Sequence, residues 1–228
     1  MDTHKILMTS TPRDSYVQIP DGGANQYDKL THAGIYGVET SEKTLENLYG
    51  IDIDYYARVN FTSFMNLIDA IGGVTVYNDQ AFTSSAGDSF EAGNINLNSD
   101  EALGFVRERY SLDNGDYDRG KNQLKVIQAI INKLTSFSSI SNYSSIMSTL
   151  QDSVQTDMPL DTMMDLANTQ LDSGKKFTIT SQEVTGTGST GELTSYAMPT
   201  ASLYMIQLDD ATLQVLHKQL KMLWKGNR

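Results

Sequence analysis

Short strand-type runs and amphipathic helix-type runs alternate along most of this 228-residue chain. Such alternation predicts a single-domain α/β sandwich, because helices must cover the apolar faces of the sheet. No internal repeat or change of composition marks a boundary within residues 1–228. Strands are predicted at residues 4–10, 16–19, 51–60, 74–77, 177–185 and 202–207. Helices are predicted at residues 40–49, 60–71, 98–107, 116–137, 146–155, 160–171 and 209–224.

Local signals set several of these boundaries. Asn98 with Glu101 three residues later predicts a capping box, and Thr40 or Ser41 is the expected N-cap of residues 40–49. Residues 80–96 and 187–194 are predicted as irregular loops, and residues 138–145 as a Ser-rich connector. The stripe expected to be buried on the longest helix consists of Tyr117, Leu124, Ile127, Ile131 and Leu134.

Composition excludes some classes of function. A net charge of −11 and a pI near 4.6 oppose nucleic-acid binding through bulk charge, although a local basic cleft is compatible with them. The chain has no cysteine, which excludes a disulfide, a zinc–thiolate site and a thiol nucleophile. No apolar run approaches the ~20 residues of a membrane span.

Arginine is scarce but clustered. Three of the six arginines, Arg107, Arg109 and Arg119, fall within residues 105–127. Guanidinium groups keep their charge and bind phosphate with a planar fork. An acidic protein that gathers its few arginines beside Asp116 and Gln123 is therefore predicted to have a phosphate or pyrophosphate site there.

Each part of this cluster has a plainer alternative. Asp116, Arg119 and Gln123 share one helical face, but exposed helical ion pairs are common and weak. Arg107 and Arg109 point to one side only if the chain is extended there, and Glu108 could neutralise both. Arg13 follows a strand end, where sites are common in α/β folds, yet it could simply pair with Asp14.

Three other patterns are weak. Lys29, Leu30, Thr31 and His32 form a polar cluster, but spacing supports no Ser/His/Asp arrangement and no histidine metal site. The GTGSTG run at 186–191 matches a dinucleotide fingerprint, yet no helix is predicted after it, which indicates a flexible hairpin loop. Residues 116–127 resemble a calcium loop but end in Ile127 instead of glutamate.

Several separated motifs together resemble the LytR-CpsA-Psr family, and most closely its streptococcal CpsA-type capsule proteins. They occur in the family's order and span residues 3 to about 220. The motifs are TSTPRDSYV (9–17), DKLTHAGIYG (28–37), YYARVNFTSF (55–64), LIDAIGGVTV (67–76), VRERY (106–110) and GDYDRGKNQ (115–123).

The resemblance implies an α/β/α sandwich around a central mixed sheet, anchored in a Gram-positive cell membrane and facing outward. It implies Mg²⁺-dependent phosphotransfer of a glycopolymer, such as capsule or teichoic acid, from a polyprenyl-pyrophosphate carrier to peptidoglycan. It also implies that Arg13, Arg107, Arg109, Arg119 and Gln123 bind the pyrophosphate. Arg119, Asp116 and Arg13 would be catalytic, with Asp116 orienting Arg119 or assisting proton removal.

The chain departs from the family pattern at two places. Where many members have a second arginine before the motif glutamine, this chain has Asn122, so one phosphate contact is expected to be weaker or to be supplied by Lys121. An earlier strand, the metal-binding aspartates and the membrane anchor would precede Met1. The chain is therefore expected to bind phosphate but to bind Mg²⁺ poorly, with little activity, and an uncovered sheet edge would favour oligomers.

A lipid carrier also needs an apolar slot, which Phe64, Ile68, Leu103, Val126 and Ile130 could line, although ordinary core is the simpler interpretation of each. Two other functions remain open. One is a non-catalytic polyprenyl-phosphate binder. The other is a nucleic-acid-binding regulator, which the acidic pI disfavours.

Overall fold

The computed structural model describes residues 4–136, 143–144, 146 and 154–225, except for the side chains of residues 224 and 225. Helices and strands alternate within these residues, and the predicted α/β class is confirmed. The helices are α1 (Leu30–Ala33), α2 (Val38–Tyr49), α3 (Phe61–Ala70), α4 (Ser99–Arg107), α5 (Asp116–Leu134), α6 (Leu160–Ser173) and α7 (Asp210–Lys225). None of the described helices is both long and apolar enough to cross a membrane.

Twelve strands form six pairs in the described residues. The strands are β1 (Lys5–Ser10), β2 (Tyr16–Ile19), β3 (Gln26–Lys29), β4 (Ala57–Val59), β5 (Val74–Asn78), β6 (Phe82–Thr83), β7 (Ser89–Phe90), β8 (Gly93–Leu97), β9 (Val154–Thr156), β10 (Thr178–Glu183), β11 (Gly186–Thr190) and β12 (Tyr204–Leu208). Five pairs are antiparallel: β2–β3, β4–β9, β5–β8, β6–β7 and β11–β12. The sixth pair, β1–β10, is parallel, since backbone hydrogen bonds join Thr178 to His4 and Val184 to Ser10.

The chain divides into two compact units. The first contains Tyr55–Thr180 and the start of β1. Its core lies between the β5–β8 pair and helices α3, α4 and α5, with Ile68, Phe105 and Val126 almost fully buried. Phe82, Phe90 and Phe105 pack together there, with ring centroids 4.9–5.5 Å apart.

The second unit contains Leu7–Asp54 and Ser181–Arg228. Met205, Ile206 and Leu216 are buried in its core, and the His217 ring of α7 is hydrogen-bonded to the Leu48 carbonyl of α2 at 2.8 Å. A parallel bridge between Ser15 and Ile206 links the segment before β2 to β12.

Local signals predicted helix ends well where the side chain itself makes the cap. Asn98 accepts from the Glu101 N–H at 3.0 Å and Glu101 accepts from the Asn98 N–H at 2.9 Å, so the capping box is confirmed. Helix α2, however, begins at Val38, with Gly37 as its N-cap. Ser41 lies inside the helix, and its hydroxyl donates to the Gly37 carbonyl at 3.1 Å instead of capping the helix start. The predicted N-cap was wrong.

Strand predictions failed where polar residues interrupt the pattern. The predicted loop at 80–96 contains β6, β7 and most of β8, which pairs with β5 despite its two asparagines. The predicted strand at 51–60 is reduced to β4. Residues 154 and 155, predicted as helical, belong to β9. The rest of residues 146–155, and most of 138–145, lie outside the described residues.

The 186–191 run is also a strand, not a flexible loop. A Cβ on Gly186 would lie 2.3 Å from the Gln207 carbonyl oxygen, so this glycine allows β11 to approach β12 closely.

On α5 the buried face differs in part from the stripe predicted from the sequence. Ile127 is 46% exposed, whereas Val126 and Ala129 are buried, because it is their side that faces the first unit's core.

Candidate functional site

The loop between α4 and α5 holds the arginine-rich segment. Helix α4 ends at Arg107, and Glu108 has an extended backbone that takes Arg109 out of the helical path. Gly115 then starts α5 with a φ of +53°, a left-handed value that favours glycine. A Cβ there would lie 3.7 Å from the Arg109 carbonyl oxygen, so the loop folds back on itself.

The first turns of α5 carry the predicted catalytic face. The Arg119 guanidinium contacts the Asp116 carboxylate, whose Oδ1 is buried. One turn later, Gln123 Nε2 donates to the Val106 carbonyl at 3.2 Å. Gln123 therefore ties this face of α5 to the end of α4, next to Arg107.

Two of the arginines rest on aromatic rings. The Arg107 guanidinium carbon lies 4.3 Å from the centroid of Phe61, the first residue of α3, and that of Arg109 lies 4.5 Å from Tyr110. Arg109 also donates to the Tyr110 hydroxyl at 2.5 Å. Stacking on Phe61 holds the Arg107 guanidinium by its face and leaves N–H groups at its edge for an anion.

Glu108 lies between these arginines in the sequence, and its carboxylate is bonded to the backbone of two neighbouring loops. Its carboxylate is almost fully buried and accepts from the backbone N–H groups of Ser85, Tyr110 and Ser111 at 2.5, 2.6 and 2.9 Å. Burial raises the pKa of Glu108, but these hydrogen bonds outweigh it and lower the pKa from 4.5 to about 2. Sequence reasoning missed this positioning role; the only signal was an acid placed between two arginines.

Lys121 does not join the arginine face. It lies two residues after Arg119, about 200° around the helix, and pairs with Asp118 at 2.9 Å. Burial raises the pKa of Asp118, and the Lys121 ammonium and the Asn114 N–H lower it more, so the net shift is downward. The predicted phosphate contact of Lys121 conflicts with this placement.

Arg13 belongs to the second unit and is exposed. The salt bridge with Asp14 that sequence left open is not formed, because Asp14 pairs with Lys29 at 2.8 Å. Among the described residues, Arg13 has no ion-pair partner. Its role in phosphate binding stays a prediction.

The polar cluster around His32 is a structural clamp. Asp28, which is 1% exposed, accepts from Ser195 Oγ at 2.8 Å and from the Ala197 N–H at 2.7 Å, and its Oδ1 lies 2.7 Å from His32 Nδ1. Burial raises the pKa of Asp28, but these contacts lower it overall. Because the carboxylate stands between serine and histidine, the histidine cannot activate that serine.

The residues predicted for a lipid slot lie in or against the core. Ile68 and Val126 are at most 1% exposed, and Phe64 and Ile130 pack against the same cluster. Leu103 is half-buried on α4. These placements are those of ordinary core residues.

A separate apolar groove lies in the same unit. It has a volume of about 550 Å³ and runs between the β4–β9 pair, α3 and the start of α6. Its walls are formed by Tyr55, Tyr56, Ala57, Val59, Leu67, Leu134, Val154, Thr156, Met158, Leu160 and Met163. Val59 lies only two residues before Phe61, on which Arg107 rests. Sequence analysis missed this groove because its walls come from four separate segments.

The carboxylates near the arginines do not fit a protein-only Mg²⁺ site. Asp116 contacts Arg119, Asp118 pairs with Lys121, and Glu108 accepts backbone N–H groups. Among the described residues, no group of three or more histidine or acidic side chains is arranged to hold a metal. Mg²⁺ would need oxygen ligands from outside this set, such as substrate phosphates.

The family model described as the LytR_cpsA_psr family matches residues 1–214. A relative from Oceanobacillus iheyensis, named polyisoprenyl-teichoic acid–peptidoglycan teichoic acid transferase TagU, is 40% identical over 83% of this chain. The match spans 59% of that relative's length.

Two solved structures are also similar. The crystal structure of B. subtilis TagU has a TM-score of 0.72 and 32% identity, covering 97% of this chain and 86% of that one. A structure of TagT bound to LI-WTA has a TM-score of 0.74 and 27% identity, covering 96% of this chain and 79% of that one.

Proposed function

Because the chain belongs to the LytR_cpsA_psr family, we propose that it transfers a glycopolymer of teichoic-acid or capsular type from a polyprenyl-pyrophosphate carrier to peptidoglycan. The observation that carries this proposal is that Arg107, Arg109 and Arg119 all lie on the α4–α5 loop or on the helix turns that flank it, in a unit that also contains an apolar groove. The names of the relatives support a transferase acting on teichoic acid. The proposed location is the outer face of a Gram-positive cell membrane.

The arginines bind the pyrophosphate and stabilise charge as it develops. Phe61 and Tyr110 hold two guanidinium groups face-on, and Asp116 fixes the third, so each is oriented before the substrate arrives. Little side-chain reorganisation is then needed in the transition state.

The reaction is a displacement at phosphorus. A hydroxyl oxygen of peptidoglycan forms a bond to the phosphorus that bears the glycopolymer, and the bridging P–O bond breaks. Polyprenyl monophosphate leaves with the electron pair. The proton of the attacking hydroxyl passes to Asp116 or to solvent. When bound, Mg²⁺ would neutralise phosphate charge.

The polyprenyl tail is proposed to lie in the apolar groove. Tyr55, Val59 and Leu67 offer it an apolar wall, and the tail's pyrophosphate end would reach Arg107 across Phe61. Burial of apolar surface contributes about 25 cal/mol per Å² of area removed from water. Affinity should therefore grow with tail length, whereas inorganic pyrophosphate should bind through the arginines alone.

The test is turnover of a polyprenyl-pyrophosphate-linked oligosaccharide with peptidoglycan as acceptor, with and without Mg²⁺. Released polyprenyl monophosphate and glycan attached to peptidoglycan are measured together. Turnover that is lost in Arg107→Ala supports the transferase. Tight binding of the polyprenyl substrate without turnover would instead identify a non-catalytic polyprenyl-phosphate binder.

A further inference from the structure

A second, polar cavity lies in the first unit, beside the first three turns of α5. It has a volume of about 210 Å³ and is called here the amide pocket. Its walls come from the end of β5, the loop that follows, the start of β6, the turn before α5 and α5 itself. They are formed by Asn78, Asp79, Gln80, Phe82, Leu112, Asp113, Asn114, Asp118, Lys121, Asn122 and Lys125.

Two buried amides define the pocket. Asn78 is 2% exposed, and its Nδ2 donates to the Glu91 carbonyl at 2.9 Å. Asn122 is 4% exposed and lines the pocket, and its side chain forms no hydrogen bond with any residue that the structure describes. Its amide atoms are not sealed off, so they face the open space of the cavity. A ligand in the pocket can therefore exchange hydrogen bonds with this amide in place of water.

Four of the five charged groups that line the pocket pair with one another, and the fifth, Asp113, forms no salt bridge among the described residues. Lys121 pairs with Asp118 at 2.9 Å and Lys125 with Asp79 at 2.6 Å. A free anion would have to displace a carboxylate from its lysine, and a cation would meet ammonium groups beside the carboxylates. The pocket therefore favours an uncharged ligand that both donates and accepts hydrogen bonds.

The size of the pocket and the character of its walls restrict the class of ligand further. The pocket is smaller than the roughly 300–1,000 Å³ typical of drug-sized ligand sites, which suits one ring rather than a chain. Phe82 and Leu112 provide apolar wall beside the two amides. Hydroxyl or acetamido groups around a ring with C–H faces match this mixture of polar and apolar surface.

We propose that the amide pocket binds one uncharged sugar ring of the glycans on which the transferase acts, through the Asn122 amide. This rests on the proposed function only for the source of the sugar. The pocket would hold that glycan beside the same helix that carries Arg119. The ring could belong to the glycopolymer or to peptidoglycan, and its chemistry is the same in both.

The experiment titrates the protein with N-acetylglucosamine and follows amide signals by NMR. Asn122→Leu replaces the amide with an apolar group of similar shape, and Asn132→Leu makes the same change at an exposed position about 15 Å along α5. We expect saturable shifts at pocket residues, with affinity at least about tenfold weaker in Asn122→Leu and unchanged in Asn132→Leu.

The unfolding temperature separates binding from folding. Asn122→Leu breaks no hydrogen bond to a described residue, so it should unfold at about the same temperature as the parent while binding the sugar more weakly. No saturable binding by the parent, or equal affinity in Asn122→Leu, overturns the proposal. Arg119→Ala should bind pyrophosphate more weakly but keep its affinity for N-acetylglucosamine, so a failed transferase assay does not decide this result.

A competition titration distinguishes the two sources of the sugar. A peptidoglycan disaccharide and a disaccharide of the donor glycopolymer are each added to the protein with N-acetylglucosamine bound. Displacement by the first assigns the pocket to the acceptor, and displacement by the second to the donor. If neither displaces the sugar, the pocket is not a glycan subsite and the proposal fails.

Discussion

At the scale of single residues, Glu108 is the group on which the position of the arginine loop depends. It accepts three backbone N–H groups, from Ser85, Tyr110 and Ser111, and so fixes the chain on both sides of Arg109. The oxygens of this carboxylate accept hydrogen bonds from the backbone on both sides of the loop. The buried carboxylate therefore holds the shape of the loop that carries Arg109.

We predict that Glu108→Gln lowers the free energy of unfolding by about 1–3 kcal/mol at pH 7, because its NH₂ group would face the Ser85 N–H. The folded pKa of about 2 is below the usual 4.5, so the ionised carboxylate stabilises the fold above pH 4.5. That stability is lost as the pH falls through about 2. Chemical denaturation from pH 7 to pH 2 checks this, and a constant difference between parent and variant across that range would contradict it.

Arg119 is the guanidinium that Asp116 holds, and its replacement tests the phosphate site directly. We predict that Arg119→Ala weakens binding of a polyprenyl pyrophosphate by roughly 1.5–3 kcal/mol, the scale of a hydrogen bond to a charged group. Arg119→Lys should recover only part, because a lysine lacks the planar fork. Calorimetric titration measures both, and equal affinity of the alanine variant and the parent would reject the role.

At the scale of elements, α4 delivers Arg107 to the site from a well-capped start. The side chains of Asn98 and Glu101 each accept a hydrogen bond from the backbone N–H of the other residue, which stabilises the first turn. The sequence shows this cap in full, because both partners lie within four residues of each other.

We predict that Asn98→Ala lowers the free energy of unfolding by about 1 kcal/mol, the usual cost of losing an N-cap. Ser99→Ala, at the next position, makes a similar truncation without removing the cap and should change stability by less than about 0.5 kcal/mol. Urea denaturation of the three proteins compares them. Equal stability of Asn98→Ala and Ser99→Ala would show that the cap adds nothing.

Elements defined by distant partners were harder to predict than this cap. Strand β8 was predicted as loop because Asn94 and Asn96 are poor strand residues, and only its pairing with β5 makes it a strand. The same difference separates the two parts of the site. Scarce arginines within one window pointed to phosphate, whereas the apolar groove and the amide pocket need segments that the sequence keeps far apart.

At the scale of the whole molecule, the chain combines a net charge of −11 with a small group of arginines. A pyrophosphate can reach that group as a compact anion, but a duplex would bring many phosphates against an acidic surface. The charge distribution therefore favours a small anion over a nucleic acid.

We predict that the protein does not bind duplex DNA measurably at 50 mM salt, whereas it binds polyprenyl pyrophosphate under the same conditions. Nucleic-acid binders gain affinity from released counterions, and this protein has few basic groups with which to release them. Gel-shift and filter-binding assays over a range of salt concentrations check this. Retention of DNA that weakens with added salt would support the regulator instead.

The stacking of Arg107 on Phe61 and of Arg109 on Tyr110 also makes the site observable. Protons held above an aromatic ring are shielded by its ring current, so the Nε–Hε signals of these two arginines should move upfield of the remaining four. With only six arginines in the chain, that region of a nitrogen–proton NMR spectrum is nearly empty. These two arginines are thus intrinsic reporters of the site, and binding of a phosphate beside them should change their resonance frequencies.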